Sequence, residues 1–140
     1  MNSIAGALAA ARLSIPIAEA RLLLRHALGA NAAWLEAHRD EPVLAAGEYS
    51  ALVGRRATGE PVAYLLGSRE FYGRDFCVTP AVLIPRPETE LLVDLAKQKV
   101  GAGETAKILD LGTGSGCVAV TLALELPQTR VTALDISPAA

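Results

Sequence analysis

The sequence predicts an α + α/β architecture: an N-terminal helical bundle, a β-hairpin linker, and the first βαβ unit of a truncated parallel-sheet domain. Three segments that differ in composition and in the spacing of their apolar residues predict it. Residues 1–67 are rich in Ala, Leu and Arg at helical spacing, and residues 68–80 mix aromatic and β-branched residues around a glycine. Residues 81–140 contain an apolar strand, a glycine turn, a helix and a second strand.

The N-terminal helices are indicated by apolar residues that recur every three to four positions. Pro16 and Gly29 stand at the two ends of the clearest segment, Ile17–Gly29, as start and stop signals. The same pattern predicts further helices at Ser3–Leu13, Ala32–His38, Leu44–Thr58 and Pro61–Leu66. Packing of their Leu, Ile and Ala faces against one another would stabilise a small bundle.

The next segment predicts a hairpin and then a proline-stiffened turn. Glu70–Thr79 carries its aromatic and β-branched residues around Gly73, which is typical of two short strands. The residue before a proline is driven out of the helical region, so Arg86, before Pro87, should be extended. Pro87 suits the first turn of a following helix at about 88–100.

The last part of the chain predicts a βαβ unit. Its elements are a strand at Lys107–Leu111, a turn at Gly112–Gly116, a helix at Cys117–Glu125 and a strand at Arg130–Leu134. Such a unit implies parallel strands. Parallel sheets are normally covered on both faces, which two strands and one helix do not achieve. We therefore expect the polypeptide to be a portion of a longer protein.

Composition limits the possible partners and compartments. Thirteen basic residues stand against fifteen acidic ones, so there is no basic excess for direct nucleic-acid binding. No apolar run reaches the ~18 residues of a membrane helix, and no membrane association is expected. The two cysteines, Cys77 and Cys117, form no CxxC and have no histidine cluster, so neither a disulfide framework nor a metal site is indicated. We expect a cytoplasmic protein, and its oligomeric state stays open.

The glycine turn is the main candidate for ligand binding. Between a strand and a helix, Gly112–Gly116 would let a ligand approach the backbone at the carboxyl edge of the sheet. The dinucleotide fingerprint would require a glycine where Cys117 stands. Asp110 precedes the turn, and Asp135 follows the next strand, where it could accept hydrogen bonds from ribose hydroxyls. The pattern favours S-adenosylmethionine over a nicotinamide cofactor, and a tight turn without a ligand is the simpler alternative.

Four segments together resemble a known family. They are Gly59–Gly67, Glu70–Gly73, Leu83–Glu90 and the Asp110–Gly116 loop. Over the whole chain the sequence is similar to the HemK/PrmC family of glutamine methyltransferases that act on peptide-chain release factors. The Pro-Arg-Pro-Glu-Thr-Glu segment is more specific to this family than the glycine loop, which many methyltransferases share.

The resemblance implies a fold, a reaction and a set of site residues. The fold is a helical substrate-recognition domain, a hairpin linker and a Rossmann-like methyltransferase domain. The reaction moves a methyl group from S-adenosylmethionine to the glutamine amide nitrogen of a Gly-Gly-Gln motif. The residues that match the cofactor loop and the ribose acid, together with two candidate pocket residues, are Gly112, Thr113, Gly114, Ser115, Gly116, Asp135, Asp110 and Arg86.

One family motif has no match. The family holds the target amide with a later Asn-Pro-Pro-Tyr segment, which does not occur in these 140 residues. We therefore predict no catalytic residue here and no activity from this chain alone. Two alternatives stay open: an amino-methyltransferase acting on nucleic acid, and a non-catalytic substrate-docking fragment with an incomplete cofactor half-site.

The remaining polar and aromatic residues have simple interpretations. We expect Trp34 and Tyr49 to pack in the bundle, and Cys117 to be a small packing residue rather than a reactive thiol. The cation clusters Arg55–Arg56 and Lys97–Lys99 are interpreted as solvated helix faces.

Overall fold

The computed structural model describes residues 3–101 and 103–140. The chain forms two compact units, Met1–Leu66 and Gly67–Ala140. The helices are α1 (Ile4–Ala11), α2 (Ile17–Leu28), α3 (Ala32–Ala37), α4 (Ala46–Ala57), α5 (Val62–Leu66), α6 (Glu90–Val100) and α7 (Cys117–Glu125). The strands are β1 (Ser68–Phe71), β2 (Arg74–Cys77), β3 (Lys107–Leu111) and β4 (Arg130–Leu134). No helix in the described ranges is long and apolar enough to cross a bilayer.

The first unit is helical, as predicted, and side chains at the helix ends explain where helices begin and stop. The hydroxyl of Ser3 accepts the N–H of Gly6 at 3.2 Å, and the side-chain oxygen of Asn31 accepts the N–H of Trp34 at 2.8 Å. Gly29 ends α2 in the left-handed region at φ 60°, where a residue with a Cβ would be strained. Every helix end lies within two residues of its predicted position.

The core of the first unit is centred on α2. Ala20, Leu23 and Leu24 are completely buried, and apolar residues of the four other helices surround them. Tyr49 is buried in the same core, and Trp34 packs against it, which confirms both as packing residues. Burial raises the pKa of the Tyr49 hydroxyl to about 12.

The second unit begins with an antiparallel hairpin. Phe71 pairs with Arg74, so Tyr72 and Gly73 form a two-residue turn. Their φ angles of 53° and 73° are both positive, as a type I′ turn requires. Tyr72 is held in this unusual conformation by its N–H, which donates to Oε1 of Glu90 at 2.8 Å. The hairpin is thereby fixed to the start of α6.

The helix predicted at about 88–100 begins differently. A 3-10 turn, Pro87–Thr89, precedes α6, and the N–H of Thr89 donates to the carbonyl of Arg86 at 3.0 Å. Arg86 itself is extended at φ −99° and ψ 140°, as the following proline dictates. The regular α-helix therefore starts at Glu90.

The βαβ unit is present with the predicted bounds. Strands β3 and β4 pair in parallel over their whole length, and α7 connects them. Ile108 and Val131 face the apolar core formed with α6, α7 and the hairpin. The opposite face carries Leu109, Leu111 and Leu134, which are 57%, 71% and 53% exposed. Within the described residues, the sheet is thus covered on one face only.

The prediction that the two cation clusters are solvated helix faces is wrong for Arg56 and Lys97, whereas Arg55 and Lys99 are exposed. Arg56 pairs with Glu19 at 2.6 Å, across 37 positions of the sequence. Lys97 contacts Glu125 at 2.7 Å, and Arg74 contacts the other oxygen of that carboxylate at 2.8 Å. The pKa of Glu125 is held below its usual value, mainly by the hydrogen bond from Lys97 and to a lesser extent by the one from Arg74. These cations join elements of their own unit to one another.

Candidate cofactor site

The glycine loop leaves the end of β3 and is fastened to the end of β4. The N–H groups of Gly112 and Thr113 both donate to the carbonyl of Leu134, at 2.8 and 3.0 Å. The three glycines of the loop have φ angles of 74°, 54° and 75°. Side chains rarely tolerate this left-handed region, so the alternate glycines are required by the path of the backbone.

Asp135 lies directly against this loop. One carboxylate oxygen accepts the N–H of Gly114 and the other accepts the N–H of Ser137, both at 2.8 Å. The pKa of Asp135 is held below its ordinary value, mainly by the hydrogen bond from the Ser137 N–H and next by the one from the Gly114 N–H. The residue is exposed. An ionised carboxylate is therefore fixed beside the loop with lone pairs still open to a ligand.

Asp110 provides a second carboxylate at the same loop. Its Oδ2 accepts the hydroxyl of Thr113 at 2.7 Å. The N–H of Gly116 donates to the carbonyl of Thr113 at 2.9 Å and closes the turn before α7. Cys117 follows, buried, and burial raises the pKa of its thiol. This confirms Cys117 as a packing residue and not an activated thiol.

The segment before the prolines reaches the loop as well. A Cβ placed on Gly114 would lie 3.9 Å from the Cβ of buried Val82. Arg86, four residues further on, is exposed. Glu90 is engaged with the N–H of Tyr72. The structure therefore brings five residues of the loop and both aspartates together, whereas Arg86 stands on the neighbouring segment.

Two of these contacts have no signal in the sequence. The bond between Glu90 and Tyr72 spans 18 positions, and the approach of Val82 to Gly114 spans more. Both depend on how the hairpin and the proline segment fold back onto the βαβ unit. Local residue spacing carries no information about such contacts.

The hydrogen bonds of the loop indicate which ligands fit. A phosphate site at a helix start needs free backbone N–H groups. Here the N–H groups of Gly112, Thr113, Gly114 and Gly116 are all donated within the protein. The site instead offers the acceptor oxygens of Asp110 and Asp135. Carboxylate oxygens accept hydrogen bonds from hydroxyl groups such as those of a ribose.

The fold defines a class: a helical unit followed by a βαβ unit of the Rossmann-like type. Residues 1–67 match the family model described as the PrmC N-terminal domain. Residues 87–140 match the model of the methyltransferase small domain.

Curated relatives agree with both matches. A release factor glutamine methyltransferase of Bordetella pertussis is 52% identical over 128 residues, 90% of this chain and 47% of the relative. One of Burkholderia pseudomallei is 53% identical over 124 residues, 87% of this chain and 44% of the relative. The chain thus spans about half the length of the curated relatives it matches. Along most of its length the chain is therefore similar to the PrmC family, which confirms the resemblance seen in the sequence.

Proposed function

We propose that the whole protein is a cytoplasmic release factor glutamine methyltransferase. It would transfer the methyl group of S-adenosylmethionine to the glutamine amide nitrogen of a Gly-Gly-Gln motif. The names of the similar proteins and the methyltransferase match over residues 87–140 support this function. In this assignment residues 1–67 recognise the substrate, residues 68–80 are the linker, and residues 81–140 begin the catalytic domain.

The contact between Asp135 and Gly114 is the observation that carries the proposal. It holds an ionised carboxylate at the loop, where it would accept hydrogen bonds from both ribose hydroxyls of the cofactor. S-adenosylmethionine supplies an electrophilic methyl group on a sulfonium, and its positive charges suit a site with two aspartates. The proposed binding residues are Gly112, Thr113, Gly114, Ser115, Gly116, Asp110, Asp135 and Arg86.

Arg86 would have a different role from the aspartates. A guanidinium binds a carboxylate through two parallel hydrogen bonds, and the methionyl part of the cofactor ends in a carboxylate. Its extended backbone and exposed side chain leave it available for such a contact.

Catalysis requires more than this half-site. An amide nitrogen is a weak nucleophile because its lone pair is delocalised into the carbonyl. Acceptors that hold its N–H groups would orient the lone pair, and such positioning can supply much of the rate. The sequence contains no Asn-Pro-Pro-Tyr segment for this purpose. We therefore propose that this chain binds the cofactor weakly and does not transfer the methyl group by itself.

Two experiments test the proposal. A polypeptide of the relatives' full length should methylate a release factor that carries Gly-Gly-Gln but not one that carries Gly-Gly-Ala. Equal labelling of both proteins, or labelling of nucleic acid instead, would refute the substrate assignment. Calorimetry of the 140-residue chain tests the half-site: tight stoichiometric binding of S-adenosylmethionine would contradict it.

A further inference from the structure

A hollow on the surface of the N-terminal unit combines an apolar floor with a basic rim. Its volume is about 270 Å³, and residues of α1, α2 and α3 and the segments beside them line it. The apolar residues at the hollow include Ile4, Leu8, Ile17 and Leu35. Ile4 and Leu35 are buried core residues, whereas Ile17 is 45% exposed. The hollow therefore offers apolar surface that a partner could cover.

The charged residues around the hollow are mostly cations. Three arginines line it, Arg12, Arg21 and Arg39, together with the single acid Glu36. Arg21 pairs with Glu36 at 3.0 Å, and both side chains are more than half exposed. Arg12 and Arg39 are exposed as well, and the described part of the chain provides no ion-pair partner for either. The rim thus carries an excess of positive charge although the whole chain has a net charge of −2.

Other arginines of this unit are used differently. Arg55 pairs with Glu60, and Arg56 pairs with Glu19. Both pairs join parts of the unit to each other. The unpaired arginines at the hollow stabilise no such contact, so their charge remains available to a ligand.

The combination of floor and rim favours one kind of occupant. A small inorganic anion would make no use of the apolar floor. A nucleic acid would require a basic track along its backbone, which the charge balance of the chain does not offer. A protein segment with both carboxylates and apolar side chains could pair with the arginines and cover the apolar floor at the same time.

We propose that this hollow docks an acidic segment of the protein substrate that also bears apolar side chains. This docking proposal depends on the proposed function in one respect only, which is that the protein substrate is a release factor. The hollow would hold that protein at the helical unit, by contacts independent of the cofactor loop.

Binding to a labelled peptide tests the surface directly. The probe is a short peptide of alternating glutamate and leucine, titrated with the 140-residue chain at low salt and followed by fluorescence anisotropy. The variant Arg12→Glu/Arg39→Glu should weaken binding by about tenfold or more, since it replaces attraction by repulsion. Arg12→Gln/Arg39→Gln should weaken it less, which separates a charge effect from misfolding.

A matched control lies in the other unit. Arg69→Glu/Lys99→Glu changes the net charge equally at two exposed positions and should leave the affinity unchanged. Circular dichroism and Trp34 fluorescence check that each variant is folded. The proposal would be overturned if a glutamine–leucine peptide bound equally well, or if both charge-reversed proteins lost affinity to the same extent.

A competition experiment then tests the partner. Purified release factor should displace the acidic peptide, and single-stranded DNA should not; the reverse result, or displacement by neither, would refute the assignment. S-adenosylmethionine binding is measured on the same variants and should be unchanged. If the unmodified chain does not bind S-adenosylmethionine, the result counts against the proposed function. If it does not distinguish the acidic peptide from the glutamine–leucine peptide, the result counts against the hollow alone.

Discussion

The two units of this protein bury their apolar residues to very different degrees. In the helical unit, Leu23 and Leu24 are completely buried by neighbouring helices. In the α/β unit, Leu109 and Leu111 stay largely exposed on the open face of the sheet. Helices satisfy their backbone groups internally and can close a core by packing side by side. A parallel sheet needs a layer on each face, and only one layer is present in the described residues.

The candidate cofactor site lies in the more open unit, and polar contacts keep it in shape. Asp135 is bonded to the N–H of Gly114, and Asp110 to the hydroxyl of Thr113. Backbone bonds to Leu134 hold the loop against β4. Polar contacts therefore hold this loop in place although the sheet beside it is covered on one face only.

The largest expected effect comes from equivalent truncations in the two units. Leu23→Ala should lower the free energy of unfolding of the helical unit by about 3 kcal/mol, because it leaves a cavity in a packed core. Leu109→Ala should change stability by less than about 0.5 kcal/mol, since its side chain is mostly exposed. Urea unfolding followed by circular dichroism measures both, and Trp34, the only tryptophan, reports on the helical unit. Equal losses would mean that the sheet face is covered after all.

Glycine-to-alanine substitutions provide a second contrast, with opposite signs. Gly54 lies within α4, and a Cβ there meets no atom within 4 Å, so Gly54→Ala should stabilise by about 0.5–1 kcal/mol. Gly112 also has room for a Cβ, but its φ is 74°, so Gly112→Ala should destabilise by about 1–2 kcal/mol. Thermal unfolding of both variants checks the signs. Stabilisation by Gly112→Ala would show that the loop does not adopt the left-handed conformation.

The smallest effect concerns acid. Hydrogen bonds from Lys97 and Arg74 lower the pKa of Glu125 from its ordinary value of 4.5. The ionised carboxylate therefore stabilises the folded state when the pH is above 4.5. This contribution is lost as the pH falls through the lowered pKa. Glu125→Gln should therefore reduce the difference in unfolding temperature between about pH 6 and about pH 3. Asp75→Asn, an exposed carboxylate on β2, is the control, and an equal effect of both would exclude a specific role for the ion pairs.

The sequence predicts the βαβ unit more sharply than the contacts within it. The bounds of β3, α7 and β4 agree with prediction, and Gly112 follows β3 while Gly116 and Pro127 stand beside the two ends of α7. The proximity of Asp110 and Asp135 to the glycine loop also follows from strand order alone. The bond between Arg56 and Glu19 and the left-handed conformation of Tyr72 do not, since distant segments determine them. Arg86 is a candidate cofactor-binding residue only because of the family resemblance, since its position in the sequence alone does not indicate a role in binding.

A nuclear magnetic resonance titration of the isotope-labelled chain with S-adenosylmethionine tests the cofactor site most directly. At millimolar ligand, the amide signals of Gly112–Gly116 and Asp135 should shift, and those of the helical unit should not. Asp135→Asn should abolish the shifts, whereas Asp75→Asn should preserve them. Unchanged loop signals, or equal shifts with a nicotinamide dinucleotide, would contradict the assignment of this loop to S-adenosylmethionine.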